Sequence, residues 1–312
     1  MAANRPSVFI DGESGTTGLG IRARLEQLRE IAVLSLPPEQ RRDRAARRDM
    51  MAAADLVVLC LPDDAAREAA AMAAELGSQA PRLLDASTAH RVDPAWTYGF
   101  PEMADGQAAR IAAAARVANP GCYPTGAIAL LRPLVEAGLL PRDYPITINA
   151  VSGYSGGGKT MIAAHEQQGG PAFELYALGL EHKHLPETAL YSGLTRRPIF
   201  VPSVGHFRQG MLVSVPLHLD TLPAKPRGAD LHAALSARYC GCPMVSVAAP
   251  QADGKLEPTA LNDTDRLELF VHANDARRQA VLVARLDNLG KGASGAAVQN
   301  LRLMLNLDPQ PC

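Results

Sequence analysis

The run of alternating segments in the first 120 residues constrains the fold most. Short β-rich runs at 7–11, 31–36, 56–62 and 82–87 are separated by stretches at 17–29, 40–54 and 64–76 whose composition is helical. A strand, a helix and a second parallel strand close by a right-handed crossover, so this alternation predicts a parallel sheet with helices on both faces, a doubly wound α/β domain. The pattern then changes. A helical stretch at 127–137 leads to a strand at 146–152, and longer strands with hairpin-like connections follow. Leu267, Leu269, Val271 and Ala273 alternate, and a polar turn at 275–279 leads into 280–286. That is the signature of an antiparallel hairpin in an α+β second domain. The last stretch, 293–307, puts Ala297, Leu301 and Met304 or Leu305 on one apolar face, predicting a helix that packs back on the first domain. Residues 221–228, with two prolines, read as a connector.

A chain of 312 residues suffices for two domains of about 150 residues each. The expected division is a dinucleotide-binding domain from 1–121 with about 289–312, and a catalytic, substrate and oligomerisation domain from 122–288. With 47% hydrophobic and 20% charged residues the composition is that of a globular protein, and a net charge of -1 offers no basic field for a nucleic acid. The charge run at 41–48 reads as the solvated face of a helix. Five cysteines, at 60, 122, 240, 242 and 312, lack a disulfide framework and suit a reducing compartment. No signal peptide and no apolar run of membrane-spanning length is evident. A soluble cytoplasmic protein with no membrane partner is expected.

The first strand runs into Gly12, Ser14, Gly15, Thr16, Thr17 and Gly18, a G-x-x-G-x-x-G spacing that opens a helix. Glycines there permit a tight turn and let the backbone approach a pyrophosphate at the helix N-terminus, so this first βα turn is the expected dinucleotide site. NAD sites place an acidic residue about 20 positions on, at the end of the second strand. Here that place holds Ser35, followed by Arg41 and Arg42. A neutral strand end with two guanidiniums suits a 2′-phosphate, which favours NADP as the cofactor.

Residues 116–126 read as a strand end, a turn and a helix start, with Cys122 at the turn. The unpaired N–H groups and positive dipole end of a helix favour thiolate over thiol. Cys122 is therefore the candidate nucleophile, whereas Cys60, inside an apolar strand, reads as structural. A thiolate that forms a hemithioacetal needs an acid/base poised near neutral pH. His182 and His184 stand together at 181–187, flanked by Glu181 and Glu187, which are placed to fix a tautomer; His184 is preferred and His182 is the alternative. No third ligand of suitable spacing accompanies the pair, so no metal site is expected. Arg91 and Arg208 are candidates to hold an acyl phosphate by bidentate hydrogen bonds.

Two other motifs compete. Residues 153–160 fit the P-loop formula G-x-x-x-x-G-K-T, and Gly153, Ser155 and Gly157 fit the nucleophile elbow G-x-S-x-G. Against the first, the loop sits midway along the chain behind a complete dinucleotide pattern, and no downstream strand ends in a convincing magnesium-binding aspartate. Against the second, no Asp-then-His order stands out downstream. A loop lining a substrate site accounts for the glycines as well as either. A catalytically silent NADP-binding sensor is the remaining alternative.

Taken together, SGTTG, LLDASTAHR, YGFPE, NPGCYPTG, SGYSGGGK, HKHLPE, GHFRQG and DNLGKGASGAAVQN, in this order, closely resemble the shorter (type 2) N-acetyl-gamma-glutamyl-phosphate reductases along nearly the whole chain. The resemblance implies a semialdehyde-dehydrogenase and glyceraldehyde-3-phosphate-dehydrogenase-like architecture. It also implies NADPH-dependent reduction of the acyl phosphate N-acetyl-glutamyl phosphate to its semialdehyde, a step of arginine biosynthesis, in a homodimer or homotetramer. Cys122 is then the nucleophile, and the histidine acid/base falls in HKHLPE. Ser87, Arg91, Asn119, Ser155, Gly156 and Arg208 border the substrate. Asn288, Lys291 and Gly292 lie near the nicotinamide.

Overall fold

The computed structural model describes residues 5–249 and 254–307; Cys312 and the end of the stretch 289–312 lie outside them. The chain divides into two compact units. Among the described residues no helix is long and apolar enough to cross a membrane.

Of the described residues, the first unit comprises 5–101, 106–120 and 293–307. Its strands are β1 (Ser7–Asp11), β2 (Ala32–Leu34), β3 (Leu56–Leu59), β4 (Arg82–Asp85), β5 (Thr97–Tyr98) and β6 (Arg116–Ala118). They lie in the order β2-β1-β3-β4-β6-β5 with every pairing parallel, the doubly wound sheet that the βα alternation predicts. Its helices are α1 (Thr16–Leu25), α2 (Arg44–Ala53), α3 (Asp63–Ala74), α4 (Gln107–Ala113) and the C-terminal helix Gly295–Met304. Period-two alternation explains the two cores. Val8 and Ile10 pack on one face of the sheet with Ile21, Leu25 and Leu301, while Phe9 packs on the other with Met51 and Met72. Each such side chain contributes roughly 1.5–3 kcal/mol by leaving water. The strand order reverses between β1 and β3, where open α/β sheets bind their ligands.

Two local expectations shift. The stretch 40–54 is a 3₁₀ turn, Pro38–Gln40, and then α2, because Asp43 accepts hydrogen bonds from the amides of Ala45 and Ala46 and caps the helix at that point. The charge run at 41–48 is not uniformly solvated: Arg47 turns inward to Asp11, bonding both of its carboxylate oxygens. Burial raises the Asp11 pKa from the usual carboxylate range against the opposing pull of that guanidinium.

The second unit is Gly121–Gly292 with the short insertion Glu102–Asp105. Its elements are α5 (Cys122–Glu136), β7 (Thr147–Gly153), α6 (Gly158–Gln168), β8 (Phe173–Leu175), α7 (Leu185–Ser192), β9 (Ile199–Gly205), β10 (Met211–His218), α8 (Gly228–Arg238), β11 (Val245–Ala248), β12 (Leu267–Asn274) and β13 (Gln279–Leu286). The sheet order is β11-β12-β13-β10-β7-β9-β8, mixed in direction, and the expected hairpin is β12 and β13 in register from Leu267↔Leu286 to Asn274↔Gln279. Met211, Val213, Val215 and Leu217 alternate inward along β10. The nearly wholly buried α5 packs against β10 and β13. The other sheet face stays open: a cavity of about 610 Å³ lies there, lined by Phe173, Leu175, Leu212 and Val281 among others.

Candidate active site

In the first unit the glycine turn follows β1. Gly12 holds φ +89°, and a Cβ there would meet the Cys60 carbonyl oxygen at 2.4 Å. A Cβ on Gly18 would meet the Gly12 carbonyl oxygen at 2.7 Å, whereas Gly15, which precedes α1, has ordinary room. The first and third glycines of the motif thus serve close packing and a left-handed turn, leaving a bare backbone at the start of α1. Ser14 is exposed, and Thr16 and Thr17 open the helix. A cavity of about 330 Å³ lies beside the turn, lined by Asp11, Gly12, Glu13, Ser14, Leu36, Arg41 and Arg42 among others.

Sequence reasoning missed Glu13. Its buried carboxylate accepts a hydrogen bond from the Ser35 hydroxyl at 3.1 Å and pairs with Arg22 at 2.5 Å and with Arg41. The end of β2 is therefore not neutral: an acid reaches it from the glycine turn, matched by two guanidiniums. No spacing rule places an acid there, because it arrives across the turn rather than along the strand. Arg42 is exposed beside them.

The turn after β4 is organised by Asp85, which accepts from the Ser87 amide at 2.9 Å and hydroxyl at 2.8 Å, and pairs with His90 Nδ1 at 2.7 Å. His90 stacks on Trp96. Arg91 follows, buried, with Nη2 3.5 Å from the Ala86 carbonyl oxygen. Asn119, after β6, gives its amide to Ala293 O and accepts from Asn300 Nδ2, joining the strand end to the C-terminal helix. Cys60 fits its structural reading, for burial pushes its thiol up to about 12.

In the second unit Cys122 is the first residue of α5 and Gly121 its cap. Pro124 has no N–H and the Thr125 amide closes on the Gly121 carbonyl, so the first-turn donors outside the helix's own ladder are the amides of Cys122 and Tyr123. The backbone of Gly292 passes against the cysteine, where a Cβ would lie 2.9 Å from Cys122 Cβ. Asn288 accepts from the Gly210 amide through Oδ1 and donates to Ser155 Oγ through Nδ2.

The expected glycine loop is a 3₁₀ turn, Tyr154–Gly157, entering α6. The amides of Gly153, Tyr154 and Ser155 donate to the carbonyls of Gly210, Phe207 and Arg208, zipping this loop to the one after β9. These bonds hold the opening residues of the loop against its neighbour, as suits a loop lining a site. The Ser155 hydroxyl, held by Asn288, is not arranged as an elbow nucleophile. A Cβ on Gly156 would meet Ser152 Oγ at 3.0 Å and Asn288 Nδ2 at 3.6 Å. Arg208 is largely exposed and pairs with Glu166 at 3.3 Å. Lys291 departs from its expected place: its side chain is 1% exposed and its ammonium meets both Glu102 oxygens, at 2.8 and 2.9 Å. That pair anchors the turn behind Gly292, and removing one partner of a buried pair costs about 3–5 kcal/mol.

His184 is buried at the start of α7, its carbonyl accepting from Thr188. His182 Nδ1 accepts from the His184 amide at 3.1 Å, which fixes the His182 tautomer with the proton on Nε2. Burial, and secondarily Lys183, lowers the His182 pKa to about 4. A ring held neutral as an acceptor is a poor proton shuttle at neutral pH. Of the flanking acids, Glu181 is exposed and paired with Arg197, whereas buried Glu187 accepts from the Gly121 amide at 3.1 Å. Among the described residues no group of three or more metal-ligating side chains is assembled.

The His182 shift carries a pH prediction. Its folded pKa is depressed below the ordinary value near 6.5. The unfolded chain therefore binds the extra proton first, and stability is lost as pH falls from about 6.5 toward 4. His182→Gln should flatten that part of the melting-temperature profile of the wild-type protein; an unchanged slope would refute the assignment.

Residues 39–111 match the family model described as the semialdehyde dehydrogenase NAD binding domain, and residues 122–288 match the semialdehyde dehydrogenase dimerisation domain. An N-acetyl-gamma-glutamyl-phosphate reductase from Chelativorans sp. (strain BNC1) is 56% identical over 306 residues, covering 96% of this chain and 98% of that protein. The enzyme of that name from Burkholderia cenocepacia is 54% identical over 308 residues, covering 96% and 97%. Among solved structures, aspartate semialdehyde dehydrogenase II from Vibrio cholerae aligns with a TM-score of 0.70 at 17% identity over 96% of this chain and 98% of that one. The aspartate semialdehyde dehydrogenase from Francisella tularensis aligns at 0.72 and 12% identity over 96% and 100%. The structures share the fold, and the sequence relatives settle the family: this chain belongs to the N-acetyl-gamma-glutamyl-phosphate reductases.

Proposed function

We propose that the chain reduces N-acetyl-L-glutamyl 5-phosphate to N-acetyl-L-glutamate 5-semialdehyde with release of phosphate, as its relatives' name describes and as arginine biosynthesis requires. The observation that carries the reading is Cys122 at the N-terminus of α5, tied through Gly121 to the segment that presents His184. Cys122 Sγ attacks the acyl carbonyl, the carbon–oxygen bond to phosphate breaks, and a thioester forms. The amides of Cys122 and Tyr123 face the developing oxyanion. Reduction of the thioester carbonyl gives a hemithioacetal on Cys122. His184 takes its hydroxyl proton and returns one to sulfur as the aldehyde leaves. Arg208, Ser155 and Gly156 border the substrate in the second unit, and Ser87, Arg91 and Asn119 enter the proposal from the first on the resemblance.

The donor set of the first unit fits NADP. Gly12 and Gly18 let the turn pack closely where a Cβ would collide with backbone, and Ser14, Gly15, Thr16 and Thr17 at the start of α1 would hold the pyrophosphate. Ser35, Arg41 and Arg42 would hold the ribose and its 2′-phosphate, with Glu13 holding Arg41 in place. When bound, the cofactor supplies the hydride. Asn288 and Gly292 are proposed on the nicotinamide side, with Lys291 acting through its anchor to Glu102 rather than as a ligand.

We place the enzyme in the cytoplasm, where the Cys122 thiol stays reduced. Assembly into a homodimer or homotetramer through the open face of the seven-stranded sheet is supported by the dimerisation-domain match and the apolar lining of that face.

The defining experiment follows NADPH absorbance and orthophosphate with N-acetyl-glutamyl phosphate. Equal loss of NADPH and gain of phosphate is expected, and phosphate release without NADPH oxidation would overturn the reading. Arg41→Ala should weaken NADP⁺ binding by about 10- to 100-fold, the loss of one charged hydrogen bond of roughly 1.5–3 kcal/mol. NAD⁺ binding, read by calorimetry, should change little; an equal loss for both cofactors would remove Arg41 from the 2′-phosphate.

A further inference from the structure

We infer that Glu187 is a positioning residue that joins the nucleophile to the acid/base, an inference that rests on the roles proposed for Cys122 and His184. Glu187 lies three residues after His184, in the first turn of α7, and is 1% exposed. Its Oε2 accepts the N–H of Gly121, the cap of α5, at 3.1 Å. One carboxylate thus reaches from the helix that begins after His184 to the helix that begins at Cys122.

Both helix starts favour this arrangement. A carboxylate in the first turn of α7 lies at the positive end of its own dipole, and the same oxygen takes up a donor at the positive end of α5. A buried carboxylate on α7 that accepts the cap amide of α5 fixes the separation of the two helix starts more tightly than apolar packing of α5 on α7 alone, since apolar contacts are non-directional. The bond also spends the Gly121 amide.

Neither end of the link is visible as chemistry in the sequence, because an amide of glycine and a carboxylate 66 positions away share no spacing rule. Other features of the unit close the same site. Tyr123 sets its ring edge to both His182 and His184, with centroids 6.1 and 6.0 Å apart, and gives its hydroxyl to the Ser203 carbonyl. These contacts pack the histidines laterally. Glu187 is the polar bond that reaches the cap of the nucleophile's helix.

The test compares Glu187→Gln, which keeps an acceptor oxygen, with Glu187→Ala, which removes it, in the full-length enzyme with NADPH bound. Gln is expected to retain kcat within about threefold. Ala is expected to lose about 10- to 100-fold in kcat, the scale of a small misplacement of reacting groups, with KM for the acyl phosphate within about threefold. Independently of turnover, hydrogen exchange at the Gly121 amide should stay slow in the Gln variant and accelerate at least about tenfold in the Ala variant, as expected for a lost hydrogen bond. Should Glu187→Ala not fold, Glu187→Met, similar in length and without the carboxylate, makes the same comparison. Wild-type kcat in the Ala or Met variant, or equal losses in the Gln and Ala variants, would overturn the inference. Failure of the wild-type enzyme to reduce the acyl phosphate would instead defeat the functional reading, leaving the exchange result to decide whether the link exists.

Discussion

Cys122→Ser is expected to abolish reduction of the acyl phosphate, by on the order of 10³-fold or more in kcat, while leaving NADP⁺ affinity and melting temperature near those of the wild type. The scale follows from the chemistry. A serine hydroxyl at the start of α5 keeps the hydrogen-bonding geometry but stays protonated at neutral pH, whereas the helix terminus favours a thiolate at Cys122. The cofactor's phosphates are proposed to bind at the glycine turn after β1, so NADP⁺ affinity is expected to depend little on the Cys122 side chain. Rapid-quench analysis adds a second measurement. The wild-type enzyme with acyl phosphate but no reductant should accumulate one acid-stable acyl group per chain, and the serine variant none. A serine variant with near-normal turnover would end the thioester mechanism.

Much of the fold was legible because burial writes itself into periodicity. The first sheet could be read from the alternation of β-rich and alanine-rich runs, and β1 was placed at its observed bounds because Phe9 and its neighbours Val8 and Ile10 face opposite cores. Errors fell at helix starts, where the capping residue sets the boundary. Asp43 starts α2 later than composition suggests, and the stretch 127–137 is only the latter part of α5, which opens at Cys122 because Gly121 caps it and Pro124 is tolerated in a first turn.

The site was legible in its parts and not in its wiring. A cysteine in a Pro- and Gly-rich turn announces itself locally, and so does a glycine-spaced turn after a first strand. The bonds that give these parts their charge and orientation run between distant positions: Glu13 to Arg41, Lys291 to Glu102, Glu187 to Gly121. Lys291 shows the difference most clearly. The family resemblance put it near the nicotinamide, and its ammonium is buried on an acid 189 residues away. Arg47, read as part of a solvated run, is likewise turned inward by Asp11.

The proposed assignment of the acid/base to His184 rather than His182 yields the second large effect. His184→Asn is expected to lower kcat by about 10²- to 10⁴-fold, the range for loss of a positioned general acid/base. His182→Asn should fall much less. Its side chain can still accept from the His184 amide, and the native ring is already held neutral, with its pKa lowered to about 4 by burial. The two variants should also differ in kind. Without His184, attack by Cys122 and loss of phosphate can proceed on the thiolate that the helix terminus favours, but collapse of the hemithioacetal lacks its proton acceptor. Single-turnover measurements on His184→Asn should therefore show acylation slowed less than aldehyde release. A larger loss in His182→Asn than in His184→Asn would reverse the assignment, because the acid/base would then be the ring whose Nδ1 is already occupied by a backbone N–H.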